Sequence, residues 1–194
     1  SVLKPGPDDV FCGTPPLAFT FGLGGLLCFP LRAGASTVLV ERLMPDTLMQ
    51  TIRDFKATIC FTAPTFWRLM APLAEKGGIG RLKKCVSAGE ALPDATRQLW
   101  KQATGIEIID GIGATEMLHI FISHDEAHAR PGATGTPVPG YQACVMDEQG
   151  HPHVADFGLA LHTSSLPALR GDRSGTPEYM SPEQSRGEPV DQRS

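Results

Sequence analysis

The sequence predicts an open, mostly parallel α/β sheet flanked by helices, and two observations carry that prediction. From Ser36 onward, short β-branched runs alternate with longer amphipathic ones, the pattern of parallel strands joined by helices. Three of the amphipathic runs open on a proline, at Pro45, Pro64 and Pro93, a residue suited to a first helical turn because its missing N–H would be unpaired there anyway.

Thr37-Val-Leu-Val40 reads as the first strand of this series, and Pro45 to about Phe55 as a helix. Ala57 to Phe61 is a strand and Pro64 to Ala74 a helix. Lys84 to Ser87 is the third strand. A helix from Pro93 to Ala103 closes on Gly105, and Ile106-Glu-Ile-Ile109 is the fourth strand. Ligands of such sheets sit beyond the carboxyl ends of the strands, which directs attention to the loops after Phe61, Ser87 and Ile109. After Arg130 the chain turns rich in Pro, Gly and Thr, then forms a strand-like Gln142 to Met146 and an acidic turn, Asp147 to Gly150. Residues 162 to 194 show little periodicity and much Ser, Pro, Gly and Arg.

Bulk properties narrow the function classes. The 194 residues are 41% hydrophobic, with a formal charge of -4. Ser1 to Met146 carries thirteen basic and thirteen acidic side chains, so the net charge belongs to the last quarter. No basic stripe interleaved with aromatics is present, which argues against a nucleic-acid binder. Cys12, Cys28, Cys60, Cys85 and Cys144 are widely spaced without C-x-x-C, so reduced thiols are expected rather than disulfides or a zinc site. The apolar run Leu17 to Leu31 is too short and glycine-rich for a membrane span. No signal peptide is visible before it, and a cytoplasmic location is expected.

The chemistry concentrates after the fourth strand. Asp110-Gly-Ile-Gly-Ala-Thr-Glu116 offers glycine flexibility, a hydroxyl and a carboxylate together. Gly111 and Gly113 let backbone N–H groups approach an anion, Thr115 can donate to a phosphoryl oxygen, and Glu116 is the hard oxygen ligand that Mg²⁺ prefers. The same residues also suit a plain strand-to-helix connection with Thr115 as N-cap.

Gly111 to Glu116 resembles the Gly-Tyr-Gly-x-Thr-Glu signature of the adenylate-forming superfamily of acyl-CoA synthetases, adenylation domains and luciferases. Ile112 stands at the usual aromatic, and Asp110 to Phe121 is similar to the benzoate and 2-aminobenzoate CoA ligase branch. Pro16 to Gly25, Phe61-Thr-Ala-Pro-Thr65, Ser87-Ala-Gly-Glu-Ala-Leu-Pro93 and Arg130 to Gly140 fall in the family's order, so the likeness spans about residues 1–150. The resemblance implies part of the family's amino-terminal domain. It implies nucleotide contacts from Ala88, Gly89, Glu90, Asp110, Gly111, Ile112, Gly113 and Thr115, with Thr115 and Glu116 catalytic and Glu116 on Mg²⁺. It also implies an acyl pocket at Phe21, Gly22, Leu23 and His119, suited to a flat aryl carboxylate. By themselves Phe19 and Phe21 could equally be core aromatics, and His119 an ordinary helix residue. The implied reaction joins an aryl carboxylate to ATP as an acyl-adenylate with loss of pyrophosphate; the thiol of coenzyme A then displaces AMP. The family's phosphate loop ending in Pro-Lys has no counterpart before Pro16, and no lysine follows Lys101, so the chain alone is expected to be inactive. Gly132 to Gly140 looks like such a loop but lacks its lysine.

His153-Val-Ala-Asp-Phe-Gly-Leu-Ala160 and Gly175-Thr-Pro-Glu-Tyr-Met-Ser-Pro-Glu-Gln184 resemble the activation segment of bacterial Ser/Thr protein kinases. That resemblance implies an irregular tail over residues 151–194, in which Asp156 would hold Mg²⁺, Thr176 would face substrate and Glu183 would anchor the segment. Neither a glycine-rich nucleotide loop followed by lysine nor a His-Arg-Asp triplet accompanies it. The expected organisation is a partial ligase domain, 1–150, joined to a kinase-like piece. The competing readings are a kinase fragment and a non-catalytic nucleotide-binding module.

Overall fold

The computed structural model describes residues 2–41, 44–146 and 152–153, which fall into two compact units divided between Gln142 and Ala143. In the first, a seven-stranded sheet runs in the order β2-β1-β3-β4-β5-β6-β7. Its strands are β1 (Val10–Gly13), β2 (Ser36–Leu39), β3 (Ile59–Thr62), β4 (Lys84–Ser87), β5 (Ile108–Gly113), β6 (Ile120–Ser123) and β7 (Thr136–Pro137). The first five pair in parallel and the last two run antiparallel, so the predicted mostly parallel α/β sheet is the architecture found.

The structure adds strands that periodicity did not reveal. β1 is one, and it lies between β2 and β3, which leaves β2 at the edge. Its place is fixed by side chains as well as by the ladder. Asp9 Oδ1 accepts from the Thr58 hydroxyl (2.8 Å), Thr58 Oγ1 accepts the Val10 N–H (2.9 Å), and Asp9 Oδ2 accepts the Gly6 N–H (2.9 Å). Burial alone would raise the Asp9 pKa, but these donors and the nearby Lys83 and Lys84 cations lower it.

Three helices cover one face: α3 (Pro45–Asp54), α4 (Pro64–Gly77) and α5 (Asp94–Thr104). Leu48, Met49 and Ile52 of α3, Met70 and Ala71 of α4 and Trp100 of α5 share one buried cluster with Cys12, Cys60 and Cys85 from the sheet. Trp67 and Trp100 meet at 4.7 Å between ring centroids, tilted by 58°, which joins α4 to α5. α5 is also tied down by charge: Glu107, 7% exposed, lies 2.9 Å from Arg97 Nε and 2.8 Å from Lys101 Nζ. The Arg97 contact is ionic, since the Nε–H is not aligned to donate.

The opposite face carries a tighter device. A short α1 (Thr20–Leu23) passes into a π-helical turn, Gly24–Cys28, and then α2 (Phe29–Ala33), which ends on Gly34 with φ of 68°. Gly25 lies so close to the sheet that a Cβ there would sit 2.7 Å from the Phe61 ring. Phe11, Leu26, Ile59, Phe61 and Val86 form the buried cluster beneath.

In the second unit, β8 (Val145–Met146) pairs antiparallel with β9 (Pro152–His153), a shorter strand than the Gln142 to Met146 run expected. Asp156, Thr176, Glu183 and the rest of the kinase-like segment lie outside the described residues. Among the described residues no helix is long and apolar enough to cross a membrane.

Cys12, Cys60 and Cys85 are register neighbours on β1, β3 and β4, and all three are fully buried. Burial pushes the Cys60 and Cys85 thiols up, which suppresses the reactive thiolate. Cys28 and Cys144 are exposed. Titration of the folded chain with an aromatic disulfide reagent is therefore expected to label two thiols rapidly and the other three only on addition of denaturant. Rapid labelling of all five would mean that this core is not formed.

Candidate active site

The site is built where the parallel strands end. β4 stops at Ser87, directly beside Asp110 on β5. Beyond Asp110, β5 changes partner: Gly111, Ile112 and Gly113 pair antiparallel with β6 through Ser123, Ile122 and Ile120. The Gly-Ile-Gly stretch is therefore strand, and the segment Ala114–Leu118 is the turn of a hairpin. This corrects the strand-to-helix reading of Thr115 as an N-cap, because β6 and not a helix follows. Gly111 is required here, since a Cβ would collide with the Ile120 side chain.

Thr115 and Glu116 are exposed at the tip of that hairpin, while Met117 and Leu118 close the turn through N–H bonds to Ala114 O (3.2 Å) and Thr115 O (3.1 Å). On the neighbouring loop Ala88 is buried and Gly89, with φ of 89° and open space around it, can meet a ligand with its backbone. Glu90 is exposed and accepts from the Thr65 hydroxyl (2.8 Å), linking this loop to the start of α4.

Two buried polar atoms between these loops close no hydrogen bond of ordinary geometry: Ser87 Oγ and Asp110 Oδ1. Asp110 is 8% exposed. Burial raises its pKa, against the opposing effects of the Gly111 N–H, His124, and the nearby Ser87 and Thr134 hydroxyls. Unsatisfied buried groups at a strand end are what a polar ligand such as a nucleobase would satisfy. For Mg²⁺ the residues present supply less. Among the described residues no group of three His, Cys, Asp or Glu side chains could hold a metal. Glu116 therefore fits only as a single carboxylate ligand to an ion carried mainly by phosphates and water, a coordination normal for Mg²⁺.

The expected acyl-pocket residues divide. His119, 7% exposed, donates from Nε2 to the Phe21 carbonyl (3.2 Å), which fixes its tautomer. Its ring lies 5.6 Å from Phe21, 4.6 Å from Phe29 and 6.0 Å from Phe61 between centroids. Burial lowers the His119 pKa, and the Phe21 carbonyl opposes this only in part. His119, Phe29, Phe61, Val86, Ile109 and Ile120 help line a cleft of about 530 Å³ on this face of the sheet. Gly22 instead packs against the Pro15 and Pro16 carbonyls, and Leu23 is half-buried beside it. The residues that sequence reasoning missed are Phe29 and Phe61 on the cleft wall, Gly24 beneath the His119 ring, and Ser123 and His124 behind Asp110. The visible hints were the Gly24-Gly25 pair inside an apolar run and the place of Phe61 at the head of a family-like motif.

A model of the family described as AMP-binding enzyme matches residues 2–156. The chain belongs to the AMP-binding enzyme family. It is 42% identical over 145 residues to a benzoate–CoA ligase of Thauera aromatica, covering 73% of this chain and 28% of that one. It is 34% identical over 144 residues to an anthranilate–CoA ligase of Pseudomonas aeruginosa, with 74% and 28% covered. Among solved structures, a benzoate CoA ligase from Burkholderia xenovorans LB400 superposes with a TM-score of 0.72 at 36% identity, covering 78% of this chain and 32% of that one. An anthranilate CoA ligase in complex with anthranoyl-AMP also gives a TM-score of 0.72, at 42% identity, over 76% and 29%. The chain thus spans about three tenths of the length of these relatives.

Two predictions follow from this geometry. Gly24→Ala would drive a methyl into the His119 ring, and is expected to destabilise the chain by about 1–3 kcal/mol, as overpacking does, read as a lower midpoint in urea. Asp110 in the folded chain holds its proton more tightly than in the unfolded one. Its ionisation therefore costs stability as pH rises above the ordinary carboxylate range. Asp110→Asn should accordingly raise the melting temperature near neutral pH, and the gain should vanish in acid, where both states of the parent are protonated.

Proposed function

We propose that this chain is the portion of an ATP-dependent aryl-CoA ligase that carries the acyl cleft and the floor of the nucleotide site, and that it does not complete the reaction alone. The observation that carries the reading is an aromatic-walled cleft ending on His119, three residues along the chain from the Thr115–Glu116 tip, in a member of the AMP-binding family. The resemblance to benzoate- and anthranilate-CoA ligases supports a flat aryl carboxylate as the acid. Phe29, Phe61 and His119 would present ring faces and edges to it.

In this reading the aryl carboxylate attacks the α-phosphorus of ATP and pyrophosphate leaves. Coenzyme A thiolate then attacks the acyl carbon and AMP leaves. The Thr115 hydroxyl would donate to an α-phosphate oxygen, where negative charge builds up. Ala88, Gly89 and Glu90 would line the base on one side, and Asp110 to Gly113 would line it on the other. Mg²⁺, when bound, would neutralise phosphate charge, with Glu116 as its single side-chain ligand from this chain. The match covers 28% of each of these two relatives, and ligand binding without turnover is the expectation for this chain.

Calorimetric titration with AMP and with a non-hydrolysable benzoyl-adenylate analogue tests this. Both should bind, the analogue more tightly, and Thr115→Val should weaken both by about tenfold, the effect of one hydrogen bond. Incubation with benzoate, ATP, Mg²⁺ and coenzyme A should give no aryl-CoA. Failure of AMP and the analogue to bind the folded chain would overturn the reading, as would turnover by the chain alone. For the tail, we propose that residues 151–194 are kinase-derived. One uninterrupted read of source DNA through the codons for Arg130 to Arg170 is expected to reproduce the junction, and a reading frame continuing as ligase would refute it.

A further inference from the structure

The residue behind the nucleotide loop is held by more than its strand. Asp110 sits where β5 leaves β4 and joins β6, and both polar groups of its main chain are taken by side chains at the end of β6. The Asp110 N–H donates to His124 Nε2 (3.2 Å), and the Ser123 hydroxyl donates to the Asp110 carbonyl (2.6 Å). Ser123 and His124 are 6% and 7% exposed. An N–H can donate to Nε2 only when that atom carries a lone pair, so the ring proton resides on Nδ1, which donates to the Asp125 carbonyl (2.9 Å). The imidazole thus bridges two main-chain groups, and its tautomer is fixed by both.

We propose that His124, together with Ser123, is a positioning residue of the nucleotide site: it clamps the main chain of Asp110 and so sets how Asp110 and the Gly111–Glu116 hairpin meet a bound nucleotide. The proposal rests on the nucleotide-binding reading for its functional half. The clamp itself stands on geometry. Among the described residues, the histidine that meets the Phe29 and Phe61 rings is His119 and not His124. His124 therefore acts on nucleotide binding through Asp110. Ser123 also lines the cleft. Without the clamp, the end of β5 keeps its ladder to β6 but loses the two bonds that fix the peptide planes on either side of the Asp110 Cα.

The test uses the full chain, isotopically labelled, as the parent and as His124→Ala, His124→Gln and Ser123→Ala. In the parent, long-range proton–nitrogen correlations of the His124 ring should show a protonated Nδ1 and a bare Nε2. His124→Ala should speed hydrogen exchange of the Asp110 amide by about tenfold or more, the effect of losing one hydrogen bond, while amides in β1 and β3 keep their protection. AMP affinity should fall by a similar factor. Gln places an amide oxygen near the position of Nε2, so His124→Gln should restore both to within about threefold of the parent, since an acceptor again meets the N–H. Ser123→Ala should weaken AMP binding without changing the ring tautomer.

A ring protonated at Nε2 would overturn the proposal, as would His124→Ala with unchanged Asp110 exchange, or a glutamine variant no better than alanine. Should His124→Ala fail to fold, the parent tautomer and the glutamine variant still decide the matter. If AMP binds none of the proteins while exchange and tautomer behave as expected, the clamp stands as structure and its functional half falls with the nucleotide reading. A normal exchange pattern with AMP bound equally by parent and alanine variant overturns the positioning role alone.

Discussion

One strand serves two sheets of contacts. Residues 108–110 of β5 lie parallel to β4, and residues 111–113 lie antiparallel to β6. The change of partner falls between Asp110 and Gly111, and the site is arranged about that point. Because β4 ends there, the Ser87 hydroxyl and the Asp110 carboxylate are left buried without full hydrogen bonds. Because β6 begins there, the chain can double back and hold Thr115 and Glu116 at an exposed tip. Gly111 makes the exchange possible by leaving room for Ile120.

The same hairpin couples the two halves of the site. Its tip carries the phosphate-contact candidates, and its return leg carries His119 into the aromatic wall of the cleft. The Ala114 N–H donates to the His119 carbonyl (3.4 Å), so the exposed tip and the cleft wall share a turn. His119 in turn donates to the carbonyl of Phe21 in α1, just before the π-helical turn on which Gly24 and Gly25 approach the His119 and Phe61 rings.

The two faces of the sheet have different work. α3, α4 and α5 seal one face over a continuous core that includes three aligned thiols and the Trp67–Trp100 pair, the larger of the two buried apolar clusters among the described residues. On the other face the glycine-rich turn packs closely but covers only part of the sheet, leaving the cleft. Rigidity on one side and an open aromatic slot on the other are what a small-molecule site on a parallel sheet requires.

The sequence by itself determined the α/β class and four of the seven strands of the sheet. Helix starts at Pro45, Pro64 and Pro93 and the runs ending at Phe61, Ser87 and Ile109 follow from local propensity and period, which depend on nearest neighbours alone. The Gly-Ile-Gly-Ala-Thr-Glu stretch likewise singled out a candidate site, with a plain connection as the other local reading. β1 was illegible because four residues, Val10 to Gly13, carry no period, and it is the parallel pairing with β2 and β3, helped by the bonds from Asp9 and Val10 to Thr58 some fifty residues away, that makes them a strand. Whether Gly111 to Glu116 led into a helix or a hairpin was likewise undecidable locally, since the glycines permit both. The pairing with β6 decided it. His124 was invisible for the same reason: nothing near it in sequence distinguishes it from a surface histidine. Tertiary pairing alone brings the Asp110 amide to its ring.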